Sequence, residues 1–177
     1  MPLIRSATEA DAKPLLEIYR PYIERAVVSF ETETPSPEQF AARIAKALDG
    51  WAWLVAEEGG TCIGYAYATA HRERAAYRWS VETSAYVHAS HHRKGMGKAL
   101  YTKLFESLRS KGFCNALAII TLPNEASVAL HESVGFQSIG VFRRAGWKFG
   151  AWQDVAWMQR KIRDLPPGEQ AGGAPAT

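Results

Sequence analysis

His91-His92-Arg93-Lys94-Gly95-Met96-Gly97-Lys98 joins a strand-like run, Ser80 to His88, to a stretch in which Met96, Leu100, Leu104 and Leu108 recur every four residues. That change of hydrophobic period marks a strand-to-helix junction. Glycines there let backbone N–H groups approach an anion, the helix start adds partial positive charge, and Arg93, Lys94 and Lys98 add full charges. On physical grounds the stretch is a pyrophosphate-binding site. It is not a Walker loop, which needs Gly at His92 and Ser or Thr at Ala99, nor a dinucleotide fingerprint, since Leu100 takes the third glycine position. Taken alone, the same residues also suit a basic helix start that holds no ligand.

Working outward, Gly112 closes this helix, Phe113 to Leu122 reads as a strand, and Asn124 caps a helix that runs through Val134 to Gly135. Phe136 to Phe142 and Trp152 to Arg160 are final strands around a Gly-containing loop. Upstream, Trp53 to Glu57, the turn Glu58-Gly59-Gly60, and Cys62 to Thr69 form an antiparallel hairpin, followed by a polar loop from His71 to Arg78. Ser36-Pro37-Glu38-Gln39 starts a helix with a Ser cap, Pro at its first position and Gln at its third. Leu3 to Ala7 is a short strand, and Thr8 with Asp11 caps a first helix that Pro21 should kink or interrupt. The order βααβββαβαββ is α/β (α+β): a mixed sheet of about seven strands flanked by about four helices, with a locally parallel pair after Ser80.

The chain has 177 residues, 47% hydrophobic and 22% charged, which suits one domain and excludes disordered, collagenous and disulfide-stapled classes. We expect a domain over residues 1–163 and a disordered, Pro-, Gly- and Ala-rich tail over 164–177. A net charge of +3 is too weak and dispersed to argue for nucleic acid, though it favours a small anionic ligand. Cys62 and Cys114 sit in apolar runs as free thiols, and no signal-peptide core or membrane-length apolar stretch is visible, so a cytoplasmic protein without membrane association is expected. His88, His91 and His92 have no metal-ligand spacing, and no metal is expected.

His92 to Gly97, Asn124 and Gly135-Phe136 together resemble the GCN5-related N-acetyltransferase superfamily, with His92 standing where Gln or Arg is usual. The resemblance narrows to the phosphinothricin and methionine sulfoximine acetyltransferases and extends to about residue 160. It is carried by Ala7-Thr8-Glu9-Ala10-Asp11, Val28-Ser29-Phe30-Glu31-Thr32-Glu33, Ala76-Tyr77-Arg78-Trp79 with Glu82, Leu122-Pro123-Asn124, His131-Glu132 and Gly146-Trp147-Lys148. It implies an acyltransferase of resistance type that moves acetyl from acetyl-CoA, as co-substrate, to the α-amino group of a glutamate-like small molecule. A homodimer is implied as well. The alternatives are acetylation of another amine, such as a protein N-terminus or polyamine, and a non-catalytic CoA-binding module.

The resemblance places acetyl-CoA along Ala85, Tyr86 and Val87, over Arg93, Lys94, Gly95, Met96, Gly97 and Lys98, and beside Asn124. An α-amino group is largely protonated at neutral pH and only its neutral form attacks a thioester, so a base is required. Glu82 takes that role, directly or through water, and His131 serves the departing thiolate. Backbone N–H groups near Tyr86 and Val87 supply oxyanion donors. Substrate recognition falls to Arg72, Arg74, Ala75, Ala76 and Tyr77 with Phe30, since an Arg fork suits carboxylate, phosphinate or sulfoximine oxygens.

Overall fold

The computed structural model describes residues 2–164; the expected disordered tail, apart from Asp164, lies outside the described residues. The chain builds β1 (Leu3–Ser6), α1 (Ala12–Glu24), α2 (Pro37–Gly50), β2 (Ala52–Glu58) and β3 (Thr61–Ala70), then β4 (Ser80–Val87) and α3 (Met96–Ser110). It ends with β5 (Asn115–Leu122), α4 (Glu125–Ser133), β6 (Gln137–Lys148) and β7 (Ala151–Lys161). The seven strands form one sheet in the order β1-β2-β3-β4-β5-β7-β6, antiparallel except for β4 and β5.

Local chemistry starts the helices where the residue types require it. Ser36 Oγ accepts from the Gln39 N–H (3.2 Å) while Gln39 Oε1 accepts from the Ser36 N–H (2.9 Å), a reciprocal box that fixes the start of α2. Pro21 does not interrupt α1, which continues to Glu24 and buries Ile23. The proline lies on the exposed side of the helix, as does Glu17, whose carbonyl loses its helical donor there.

Strand alternation sorts the core into two layers. Ala52, Leu54 and Ala56 of β2 pack with Leu100, Leu104 and Leu108 of α3 on one face. Trp53 and Val55 pack with Leu15, Ile18, Phe40 and Ile44 of α1 and α2 on the other. The final strands are longer than the sequence indicates: the expected loop is mostly strand, closed by a turn at Phe149 and Gly150, both with positive φ. Pairing survives a bulge between Phe142 and Gly146, where Arg144 at φ 52° donates its N–H to Asp154 Oδ1 (2.8 Å).

Arg5 ties β1 to its surroundings, donating to both oxygens of Asp11 (2.8 Å each) and to Glu57 Oε2. The guanidinium holds the Asp11 carboxyl down at about 2 from its ordinary 3.8. A carboxylate whose folded pKa is depressed contributes stability above its unfolded pKa and loses it as pH falls through the folded value. Acid should therefore remove about 2 kcal/mol between pH 4 and 2. Urea midpoints measured across that window should flatten in Asp11→Asn, and an unchanged slope in the variant would show that the pair does not carry the acid sensitivity.

Candidate functional site

The site begins where the sheet divides. β4 pairs with β3 along its whole length but with β5 only at Ser80–Glu82 against Asn115–Leu117; beyond that point β5 follows β7. The hydroxyl of Thr83 donates to Leu117 O (3.2 Å) at the fork. His88 N–H donates to Ile63 O, so ladder alternation turns the N–H and C=O of Tyr86 toward β3 and those of Ala85 and Val87 into the gap. Tyr86 is thus not an oxyanion donor through its backbone. Val87 O accepts from the Tyr22 hydroxyl (2.8 Å) and from His92 Nε2 (2.9 Å). His92 thereby ties the basic loop back onto the end of β4.

That loop feeds α3 through two residues in the left-handed region, Arg93 (φ 59°) and Gly95 (φ 77°). The first bond of the helix runs from Ala99 N to Gly95 O, so the N–H groups of Met96, Gly97 and Lys98 have no acceptor within it. Exposed Arg93, Lys94 and Lys98 surround these donors, an arrangement that fits a pyrophosphate. Met96 buries its side chain and offers only its backbone. A Cβ on Gly97 would stand 2.8 Å from Leu130, so this glycine serves the close approach of α3 to α4.

A small recess opens within the fork, lined by Ala85, Tyr86, Tyr101, Asn124 and His131 among others. Asn124 caps α4, its Oδ1 accepting from Ser127 N–H (3.1 Å). His131 is buried on α4, and burial lowers its pKa, which keeps it neutral. Its Nδ1 lies 2.7 Å from Ser127 O and must carry the proton there, so Nε2 accepts the Tyr101 hydroxyl at 2.7 Å. Both ring nitrogens are engaged, so His131, though it lines the recess, presents no free nitrogen there; its Nε2 bonds to the Tyr101 hydroxyl, which lines the recess too. Sequence reading missed Tyr101, which beside Leu100 on α3 looks like any core residue.

On the α1–α2 face lies a cleft of about 880 Å³ with an aromatic floor of Trp53, Tyr65 and Tyr67. Trp53 stacks on Tyr67 with ring centroids 4.3 Å apart. Arg72, Arg74 and Tyr77 line it, joined by His71 and by Arg43 and Lys46 of α2, which sequence reading left unassigned. Arg43 forks onto Glu31 (2.7 and 3.1 Å), which also accepts from the Tyr19 hydroxyl. Ala75 and Ala76 occupy an exposed turn outside the cleft wall. Phe30 is also outside it, laid on Gly146 so closely that a Cβ there would come within 2.3 Å of the ring. Glu82 projects from β4, its Oε1 2.8 Å from His71 Nδ1.

The segment that carries Phe30 is anchored by Lys148, a residue only 4% exposed whose Nζ donates to Ile23 O (2.7 Å) and Ser29 O (2.6 Å). Among the described residues no group of three or more His, Cys, Asp or Glu is gathered for a metal.

The family model for the acetyltransferase (GNAT) domain matches residues 4–157. Phosphinothricin N-acetyltransferase of Streptomyces viridochromogenes is 43% identical over 92% of this chain and 88% of its own. The L-methionine sulfoximine/L-methionine sulfone acetyltransferase of Salmonella typhimurium is 34% identical over 90% of this chain and 94% of its own. Among solved structures, a GNAT superfamily phosphinothricin acetyltransferase from Sinorhizobium meliloti in complex with AcCoA superposes with a TM-score of 0.91 at 36% identity, covering 99% of this chain and 97% of that one. The chain belongs to the GNAT acetyltransferase family, and its seven-stranded mixed sheet with four helices is that family's fold.

Lys148→Met should unmask the anchor. Leaving a buried acceptor unpaired costs about 1–3 kcal/mol, so the urea midpoint should fall accordingly. An unchanged midpoint would mean that desolvating the ammonium offsets its two hydrogen bonds.

Proposed function

From membership in this acetyltransferase family, we propose that residues 1–163 form an enzyme that acetylates the α-amino group of a glutamate-like small molecule, such as methionine sulfoximine, methionine sulfone or phosphinothricin. The observation that carries this reading is a carboxylate, Glu82, set between a cation-lined cleft and the fork of the sheet. Acetyl-CoA, as co-substrate, supplies an acetyl group activated as a thioester. The α3 start with Arg93, Lys94, Gly95 and Lys98 holds its pyrophosphate, and the outward backbone groups of Ala85 receive the arm beyond it, alongside Val87.

Glu82 drives removal of a proton from the substrate ammonium, which frees the lone pair that attacks the thioester carbon. The Val87 N–H, turned into the gap, is placed for the oxyanion. The second proton of the attacking nitrogen passes to the departing sulfur on the side of the recess where the Tyr101 hydroxyl, backed by His131, lies. Arg72 and Arg74 with Tyr77 meet the polar end of the substrate. Arg43, Lys46, Arg72 and Arg74 all face one cleft, which disfavours a polyamine. Both cysteines are free, in keeping with a cytoplasmic location.

Free-thiol release should be faster with methionine sulfoximine or phosphinothricin than with glutamate, methionine or spermidine. Glu82→Gln should lower turnover about 100-fold or more with acetyl-CoA binding intact. Arg74→Ala should cost about tenfold to hundredfold in kcat/KM for the sulfoximine and little for methionine. Robust acetylation of spermidine or peptides by the native protein would overturn the substrate assignment.

The same reading includes a homodimer. Edge strand β6 and its turn expose Ile139, Val141, Phe142, Trp147 and Phe149, with Trp152 beside them. A row of that size on an unpaired edge is the kind of surface that a second copy covers. Light scattering at micromolar concentration should give twice the chain mass, and a monomer mass would refute it.

A further inference from the structure

His71 enters the cleft from the end of β3, and nothing in the acetyl-transfer reading uses it. The β3–β4 register sets Thr69 opposite Glu82, which makes His71 the diagonal neighbour of Glu82 on the cleft face. The two side chains meet there, Nδ1 to Oε1 at 2.8 Å, with the His71 side chain 11% exposed and that of Glu82 32%. The imidazole is held edge-on between Tyr77 (ring centroids 5.3 Å apart) and Trp157 of β7 (6.0 Å). His71 lines the cleft and Glu82 does not. With Nδ1 committed to the carboxylate, Nε2 is the ring nitrogen left for the cleft, and it has no protein partner among the described residues.

We propose that His71 is the group that takes the proton from the substrate amine, with Glu82 behind it as the positioning carboxylate. The proposal rests on the acetyl-transfer reading and says how its base works. The Nδ1–H donates to Glu82, which fixes the tautomer whose Nε2 lone pair faces the substrate ammonium. One ammonium proton moves to Nε2, and the imidazolium so formed is stabilised by the Glu82 charge. The nitrogen lone pair then forms the C–N bond as the C–S bond breaks; the second nitrogen proton ends on the departing sulfur, and Nε2 returns its own to solvent. The other charged or titratable groups facing this position are Arg72, Glu73, Arg74 and Tyr77 from the connecting loop, Tyr67 on β3, and Arg43 and Lys46 on α2.

His71→Asn separates the roles, because its amide N–H₂ can still donate to Glu82 while the base is lost. We expect kcat/KM for methionine sulfoximine to fall about 100-fold or more, with the acetyl-CoA requirement unchanged. The remaining rate should climb with pH as free amine accumulates, and added imidazole should restore activity. If His71→Asn keeps its activity while Glu82→Gln loses it, Glu82 acts directly and the proposal fails. A readout without turnover uses the free native protein: ¹⁵N shifts should show His71 protonated at Nδ1, changing in Glu82→Gln. An Nε2–H tautomer overturns the dyad whatever the turnover, whereas no thiol release from the native protein with any amine overturns the acetyl-transfer reading instead.

Discussion

Three residues of parallel pairing hold the two halves of this sheet together. Past Glu82 and Leu117 the strands separate, β4 staying with β3 and β5 with β7. A gap inside a sheet leaves backbone donors and acceptors without ladder partners, and buried groups of that kind are costly unless something else pairs with them. Thr83, Tyr22 and His92 take up part of the demand at Leu117 O and Val87 O. The outward-facing Ala85 and Val87 positions that remain make the fork a place where an extended ligand finds hydrogen bonds. Val28 from the α1–α2 connection and His131 from α4 both line it, so it joins the two faces of the molecule.

Charge is distributed to match. Cations stand at two separate places, around the start of α3 and around the cleft on the opposite face, and Glu82 lies between them. The cleft cations are not equivalent: Arg43 is forked onto Glu31 and braces the wall, while Arg72 and Arg74 sit exposed on the connecting loop. The two bonds of Lys148 to main-chain carbonyls pin the segment before α2 against the β6–β7 hairpin. The segment between α1 and α2 and the exposed apolar edge are therefore parts of one mechanical unit.

Local signals were read well where they act locally. The reciprocal Ser36–Gln39 box, the Asn124 cap and the hairpin at Gly59-Gly60 all follow from residue types within a few positions of one another. Errors arose where packing overrides the local signal. Pro21 is tolerated because it faces water, and the stretch from Arg143 to Gly150, glycine-rich and charged, remains largely in the ladder because β7 pairs across the bulge.

The sequence by itself determined the order of elements, the family resemblance and the basic, glycine-containing helix start, since capping and hydrophobic period need only near neighbours. Tertiary structure alone decided the pairing of His71 with Glu82, of Tyr101 with His131, and of Lys148 with Ile23 and Ser29. Each joins elements separated by a long loop, by a strand or by whole helices. No turn type sets the register between β3 and β4, and no periodicity says which residue of α3 will face α4. Only the packed sheet, with both layers in place, brings those side chains within hydrogen-bonding reach.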